Sequence, residues 1–287
     1  MCGRYAASAE PDDLIEAFVI DRDTTGDPTR SLLVKPQQPP PGTPDYNMAP
    51  SKQAPVVLQR PGEPTEDAGR QGHDRAVPTE RSLRLLSWGL VPSWSKDPRG
   101  GVRMINARAE TLLSKGAFAR AARTRRCLVP ATGWYEWQVS TTARTSAGKP
   151  RKQPFFITRV DQRPIAFAGL YEFWKDPTPP PEAPTPWLVT FTIITTAAEH
   201  GMDRIHDRQP VVLDQDTWDD WLNPRLSDPG HVQTVLDAPP PGRFTAWPVS
   251  PAVNAVANNS PDLLDPLPTA DLVGVLDPQT GEIIGPA

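Results

Sequence analysis

The sequence predicts an α+β fold: a single β-rich domain whose mixed and antiparallel strands form a barrel-like core flanked by a few helices. Two observations carry this prediction. Runs of apolar, β-branched and aromatic residues recur along the chain at strand length. Helical periodicity is confined to a few short stretches that do not alternate regularly with those runs. In chain order the strand candidates are "APVVL" (54–58), "LRLLSWGLV" (83–91), "VRMINA" (102–107), "CLVPATGWYEW" (127–137), "PFFITRV" (154–160), "PIAFAGLYEFW" (164–174), "WLVTFTIITTA" (187–197), "QPVVL" (209–213) and "RFTAWPV" (243–249). The helix candidates are "EPDDLIEAF" (10–18), a basic amphipathic stretch from about Glu110 to Arg123, "DQDTWDDWL" (214–222) with Asp214 or Asp216 as its cap, and "DPGHVQTVL" (228–236).

Proline sets the loops. The chain has 37 prolines in 287 residues, well above the usual share of about 5%. They mark proline-rich loop insertions near 24–45, 59–80, 139–153 and 175–186 within a domain spanning 1–270, followed by a tail at 271–287. An apolar content of 38% is enough for a substantial core at this length. No run approaches the roughly eighteen apolar residues of a membrane span, and the N-terminus lacks the basic-then-apolar pattern of a signal peptide. A cytoplasmic protein without membrane contact is therefore expected. Cys2 and Cys127 are too few for a disulfide framework and lack metal-ligand spacing, so no metal is expected. With no phosphate-binding glycine loop and no fixed-period repeat, no nucleotide cofactor is expected either. The net charge of −4 argues against coating nucleic acid by bulk electrostatics. One stretch departs from the average: Lys96 to Arg126 carries nine basic and two acidic residues, net +7. On charge alone it reads as a solvated helix face or as a binding surface.

The chain opens "MCGRYA". A residue as small as cysteine in second place lets the initiator methionine be trimmed, which leaves a thiol and a free α-amine on adjacent carbons. Their ordinary pKa values, about 8.5 and 7.7–8.0, give each a usable nucleophilic fraction at neutral pH. Other ionisable and amide groups sit in apolar surroundings. "MINARAET" places Asn106 and Arg108 on one face of a strand. "GWYEW" sets Glu136 among Trp134, Tyr135 and Trp137, where desolvation raises a carboxyl pKa as a general acid requires. "RIHDRQPVVL" repeats the one-face spacing with His206 and Arg208. Singly, each also fits a plainer role: Glu136 accepting from indoles, Asn106 in a turn, Arg108 as a surface cation, His206 as an ordinary polar residue. Together they supply a nucleophile, an acid, an imidazole, an amide and two arginines.

"MCGRYA", "YNMAPSKQAPVV", "LSWGLVPSW", "INARAET", "RRCLVPATGWYEW", "FAGLYEFW", "TFTIITTAA", "IHDRQPVVL" and "PVSPAVNAVANNSPDLL" occur in this order from residue 1 to about 265. Together they resemble the SRAP family, the SOS-response-associated peptidases. The resemblance implies a protein that captures abasic sites in single-stranded DNA, working as a monomer and lying on the nucleoid when bound to DNA. It assigns the catalytic positions to Cys2, Asn106, Glu136 and His206. DNA contact falls to Arg4, Arg108 and Arg208, with Asn47 and Pro50 lining the strand's path. The implied chemistry is a Schiff base between the α-amine of Cys2 and the open-chain aldehyde of the sugar, closed by the thiol into a thiazolidine. Glu136 and His206 then move protons, Asn106 holds the amine or a sugar hydroxyl, and Trp88 or Trp94 either stacks on bases or belongs to the core. Self-processing of Met1 accounts for the peptidase in the family's name. Two other classes remain open: an N-terminal nucleophile amidohydrolase of glutaminase type, and a non-covalent single-strand binding module using the basic stretch.

Overall fold

The computed structural model describes residues 2–61, 79–237 and 241–285. Its strands are β1 (Arg4–Ala7), β2 (Arg22–Asp23), β3 (Asp45–Met48), β4 (Gln53–Pro61), β5 (Thr79–Trp88), β6 (Asn106–Arg108), β7 (Arg126–Ala131) and β8 (Gly133–Arg144). They continue with β9 (Pro150–Arg159), β10 (Ile165–Lys175), β11 (Trp187–Ala197), β12 (Arg208–Pro210), β13 (Phe244–Pro248), β14 (Val275–Leu276) and β15 (Ile283–Ile284). Four short helices accompany them: α1 (Pro11–Ala17), α2 (Ala119–Thr124), α3 (Trp218–Leu222) and α4 (Pro229–Leu236).

Strands β11, β10, β7, β4 and β5 hydrogen-bond in that order, and β5 pairs back onto β11 in parallel, which closes a five-stranded barrel. The strand runs are apolar on both faces because both faces are covered. Along β10, Ile165, Phe167 and Tyr171 fill the inside, while Ala166, Ala168 and Leu170 pack outward with Phe18 of the segment after α1, Ala122 of α2, Trp221 of α3 and Val232 of α4. A second sheet, in the order β13, β9, β8, β1, β3, packs against the barrel. Its inner aromatic residues meet those of the barrel edge on, Tyr5 against Trp88 and Phe167 and Trp134 against Phe167, while Trp134 also meets Phe244 of its own sheet edge on. The fold is thus α+β with a closed barrel core and few helices, as the strand pattern predicts.

Several boundaries differ from expectation. The stretch from Glu110 to Arg123 is not one helix: a 3-10 turn at Ala109–Thr111 is separated from α2 by residues that include Ser114 and Gly116, both poor helix formers. "VRMINA" yields only the end of a 3-10 segment, Pro98–Arg103, and the three-residue β6. Neither Asp214 nor Asp216 caps a helix through its side chain, whereas Asp228 accepts from the His231 amide at the start of α4. The insertion expected at 139–153 is largely a hairpin, with Val139 opposite Lys152 and Arg144 opposite Pro150. Its outer residues are mostly polar and exposed, so they carry no apolar alternation to read. In the insertion at 59–80, β4 reaches Pro61 and β5 begins at Thr79; residues 62–78 lie outside the described residues. The expected tail after 270 is folded onto the domain: Leu272 and Val275 join the inner core, and Gln138 exchanges hydrogen bonds with Leu276 at 3.0 and 2.7 Å. Among the described residues no helix is long and apolar enough to cross a membrane.

Gly133 opens β8, the strand that carries Glu136. A methyl group there would collide with the Phe156 ring and come within 2.6 Å of the Ile157 carbonyl oxygen. Gly133→Ala is therefore expected to destabilise the protein by about 1–3 kcal/mol, the usual cost of overpacking. Thermal denaturation checks this, and a midpoint equal to wild type would show that β9 yields without cost.

Candidate active site around Cys2

Strand β1 lies inside its sheet, with β8 on one side (Arg4 opposite Tyr135, Tyr5 opposite Trp134) and β3 on the other (Tyr5 opposite Met48). Those two ladders draw the start of the chain into the interior. Cys2, immediately before β1, is fully buried within the inner core, and its Sγ lies 3.8 Å from the Arg4 carbonyl oxygen. Its own carbonyl oxygen accepts a 2.7 Å hydrogen bond from Asn106 Nδ2. Asn106 is placed by the parallel pairing of β6 with β11, where it stands opposite Ile193. Its Oδ1 is buried without a hydrogen-bond partner among the described residues.

Glu136, on β8 opposite Phe155, is 3% exposed. Burial raises its pKa to about 7; the Asp207 carboxylate adds to the shift and the α-ammonium of the chain opposes it. Burial likewise holds the Cys2 thiol well above its ordinary range, and the charge of Glu136 pushes it further. The two groups are therefore electrostatic neighbours. His206 is half-buried, and its Nδ1 accepts a 3.0 Å hydrogen bond from the Arg208 amide, which assigns the proton of the neutral ring to Nε2. Desolvation lowers its pKa and so favours this neutral form, while Asp207, whose Oδ1 is 2.8 Å from the same Nδ1, works in the opposite direction.

The arginines and Asn47 take distinct positions. Arg208 grips Glu110 through two hydrogen bonds, 2.6 and 3.0 Å, and donates to the Thr195 carbonyl at 2.6 Å. That pairing depresses the Glu110 pKa. Arg108, on β6 opposite Thr195, is exposed. Arg4 is turned to internal work: its Nη1 donates to Asn47 Oδ1 at 2.6 Å and to the Val253 carbonyl at 2.8 Å. Asn47 is fully buried, and its Nδ2 lies 3.0–3.1 Å from the carbonyl oxygens of Val253, Ala255 and Asn258. Arg4 and Asn47 together hold the 253–258 segment beside β1. Pro50 is half-buried just after β3.

Of the two tryptophans, Trp88 belongs to the core, with its indole N–H on the Ile105 carbonyl, and Trp94 is 69% exposed. The basic stretch does not form one surface. Arg99 pairs with Asp97, Arg125 with Glu172, and Arg126 is buried, donating to the carbonyl oxygens of Trp221, Ala122, Arg123 and Asn223. Sequence reasoning does not find Glu110, Asp207, or the buried ion pair of Lys52 with Asp45 at 2.6 Å. Glu110 follows Arg108 by two residues inside "INARAE", but its partner is 98 positions away, and no local pattern encodes that distance. Among the described residues no three His, Cys, Asp or Glu side chains converge as a metal site requires.

Known proteins resemble this arrangement along most of its length. Residues 1–256 match the family described as SOS response associated peptidase (SRAP). The abasic site processing protein YoqW of Bacillus subtilis is 36% identical over 265 residues, covering 92% of this chain and 99% of that protein. The abasic site processing protein HMCES of Rattus norvegicus is 30% identical over 312 residues, covering 97% and 79% respectively. A crystal structure of a protein from Bacteroides thetaiotaomicron shares the fold with a TM-score of 0.65 at 22% identity, covering 93% of this chain and 100% of that one. A phage-related protein from Bordetella bronchiseptica gives a TM-score of 0.55 at 28% identity over 86% and 94%. With a barrel, a buried Cys2 and a family match that together span the domain, the chain belongs to the SRAP family.

Proposed function

We propose that this chain captures abasic sites in single-stranded DNA by a covalent thiazolidine crosslink through Cys2, formed once Met1 is removed, and so shields the lesion during replication. One observation carries the reading: the residue that becomes the N-terminus is held in the interior by Asn106 on its carbonyl oxygen, beside an acid whose pKa lies near 7. Relatives named abasic site processing proteins support it. Hydrolysis of the Met1–Cys2 bond, by the chain itself or by an aminopeptidase, precedes capture.

The chemistry balances with one water lost. The α-amine of Cys2 adds to the aldehyde carbon of the open sugar, and the resulting carbinolamine expels its hydroxyl as water to leave an imine. The thiol sulfur then adds to the imine carbon, its proton passing to the nitrogen, and a five-membered ring closes. Because amine and thiol sit on adjacent carbons, the second addition is intramolecular and has a very high effective molarity. Burial keeps the Cys2 thiol protonated, so ring closure needs an acceptor for its proton. Protonated Glu136 suits dehydration, and once ionised it can accept that thiol proton. The Nε2–H of neutral His206 suits the sugar ring oxygen, whose protonation opens the ring and whose deprotonation accompanies reversal. Exposed Arg108 is available to phosphates flanking the lesion, whereas Arg208 must first exchange Glu110 for a phosphate.

Cys2→Ala abolishes the denaturation-resistant adduct on abasic single-stranded DNA, and Cys2→Ser, which keeps the amine, forms at most a short-lived one. Denaturing electrophoresis of a uracil-containing strand with and without uracil glycosylase reads both. A serine variant crosslinked as durably as wild type would defeat the ring mechanism.

The rate of adduct formation falls as pH rises through about 7, because Glu136 loses the proton that dehydration uses. Glu136→Gln removes that limb of the profile and slows formation by about 100-fold or more. His206→Ala slows formation less but impairs release of DNA in a chase with competitor abasic strand. A shared alkaline limb in wild type and Glu136→Gln would remove the acid role, and wild-type release from His206→Ala would remove the histidine's.

Arg108→Ala weakens single-strand binding and reduces the slope of log affinity against log salt by about one. Arg125→Ala, whose side chain serves Glu172, leaves that slope unchanged. Fluorescence anisotropy over a salt series makes the measurement, and equal losses at the two positions would extend the binding surface to the basic stretch.

A further inference from the structure

Strands β5 and β11 close the barrel through a short parallel ladder, Ser87 opposite Thr190 and Trp88 opposite Phe191. Both begin well before that ladder, at Thr79 and Trp187, and over those leading residues they are not paired with one another. A cavity of about 420 Å³ opens in the cleft, lined by Arg84, Phe173, Trp187, Val189 and the Pro28–Thr29 segment. It lies away from Cys2. Phe167 of β10 meets the covering sheet through Tyr5 and Trp134, whereas Phe173 lies six residues farther along the same face. On β11, Trp187 precedes Ile193, the partner of Asn106, by six residues, a separation of roughly 20 Å at strand rise.

The cleft brings two guanidinium groups together. Arg84 is half-buried; burial and the charge of Arg60 lower its pKa, Asp27 and Tyr171 oppose the shift, and Arg22 adds to it. Arg60 lays its guanidinium 4.7 Å from the centre of the Phe173 ring and 5.7 Å from that of Tyr171. Its Nη2 is buried with no hydrogen-bond partner among the described residues. Glu80, opposite Arg60 in the ladder, instead stands 4.0 Å from Arg22. Trp187 is 43% exposed, with Lys175 Nζ 5.7 Å from its ring centre.

An orphaned buried N–H donor beside a second, half-buried guanidinium is costly unless an anion joins them. Arginine forks match phosphate oxygens, and an exposed indole beside a phenyl ring offers a stacking face for a flat group. The volume is within the range of small-ligand sites, about 300–1,000 Å³. We propose that this cleft binds a phosphate carrying a planar ring, that is, a nucleotide, either free or as the phosphorylated end of a strand. The phosphate sits between Arg60 and Arg84 and the base lies against Trp187. This site goes beyond the abasic-site reading and uses none of its residues.

Isothermal titration calorimetry on the full chain, with dAMP, adenosine, and a short intact oligonucleotide with and without a 5′-phosphate, tests it. Saturable dAMP binding is expected, weakened about tenfold or more by Arg84→Gln, by Arg60→Gln, or by removing the phosphate as in adenosine. Trp187→Ala weakens it about tenfold through lost stacking. Arg84→Lys retains part of the affinity, and its thermal midpoint, with that of Arg84→Gln, confirms that the fold survives. Arg84-dependent preference for the phosphorylated oligonucleotide identifies a strand end as the ligand; dAMP binding without that preference identifies the free nucleotide. Equal affinity for dAMP and adenosine, unchanged dAMP binding by Arg84→Gln, or no saturation with dAMP overturns the proposal. Arg84→Gln crosslinks abasic DNA at the wild-type rate, so loss of the cleft and loss of the capture reaction are read separately.

Discussion

Burying the second residue of a chain is the constraint on which the rest of this structure depends. Chain ends ordinarily fray, because few contacts offset the entropy of ordering them. Here β1 is hydrogen-bonded on both sides, to β8 and β3, and Tyr5 is driven between Trp88 and Phe167. Two ladders and one aromatic anchor hold four residues of strand, and Cys2 is carried inside with them. The electrostatics follow from the same burial. Desolvation keeps the thiol protonated and brings the Glu136 carboxyl to about 7. An exposed Cys2 would lack the first of these.

Placing polar groups beside a buried strand is costly unless each finds a partner. Most do. Asn47 satisfies three carbonyl oxygens of the 253–258 segment and is itself held by Arg4. Lys52 and Asp45 neutralise one another nearby, and Arg208 is matched to Glu110. These pairs act chiefly as positioning devices, since breaking one strands a charge in the interior. Among the described residues, the Oδ1 of Asn106 beside Cys2, the Tyr5 hydroxyl and the Trp134 indole nitrogen are left without hydrogen-bond partners. The same accounting distinguishes the two ends of the barrel. One is sealed by the second sheet, and at the other β5 and β11 part, leaving Arg60 Nη2 buried without a hydrogen-bond partner among the described residues, near half-buried Arg84.

Much of the fold was legible because both faces of the barrel strands are buried. "PIAFAGLYEFW" and "WLVTFTIITTA" carry apolar residues at nearly every position, and each appears as one long strand, β10 and β11. The hairpin ends of β8 and β9 were read as a loop because their residues are mostly polar and exposed, which leaves no apolar alternation. The basic run from Lys96 to Arg126 looked like one element, yet its members are divided among an exposed pair, a salt bridge and a set of buried carbonyl contacts.

By itself the sequence determined the chemistry available: a cysteine directly behind Met1, an acid among indoles, an amide and a histidine each two residues before an arginine. Spacing of two along a strand is a local property, so the pairing of Asn106 with Arg108 on one short strand could be read directly. The tertiary structure alone decided which of these groups meet. Asn106 reaches the Cys2 carbonyl across 104 residues, Arg208 reaches Glu110 across 98, and Arg4 turns inward to Val253 across 249. Such contacts depend on strand register and barrel closure. These are collective outcomes of burying apolar side chains, so no local sequence window contains them.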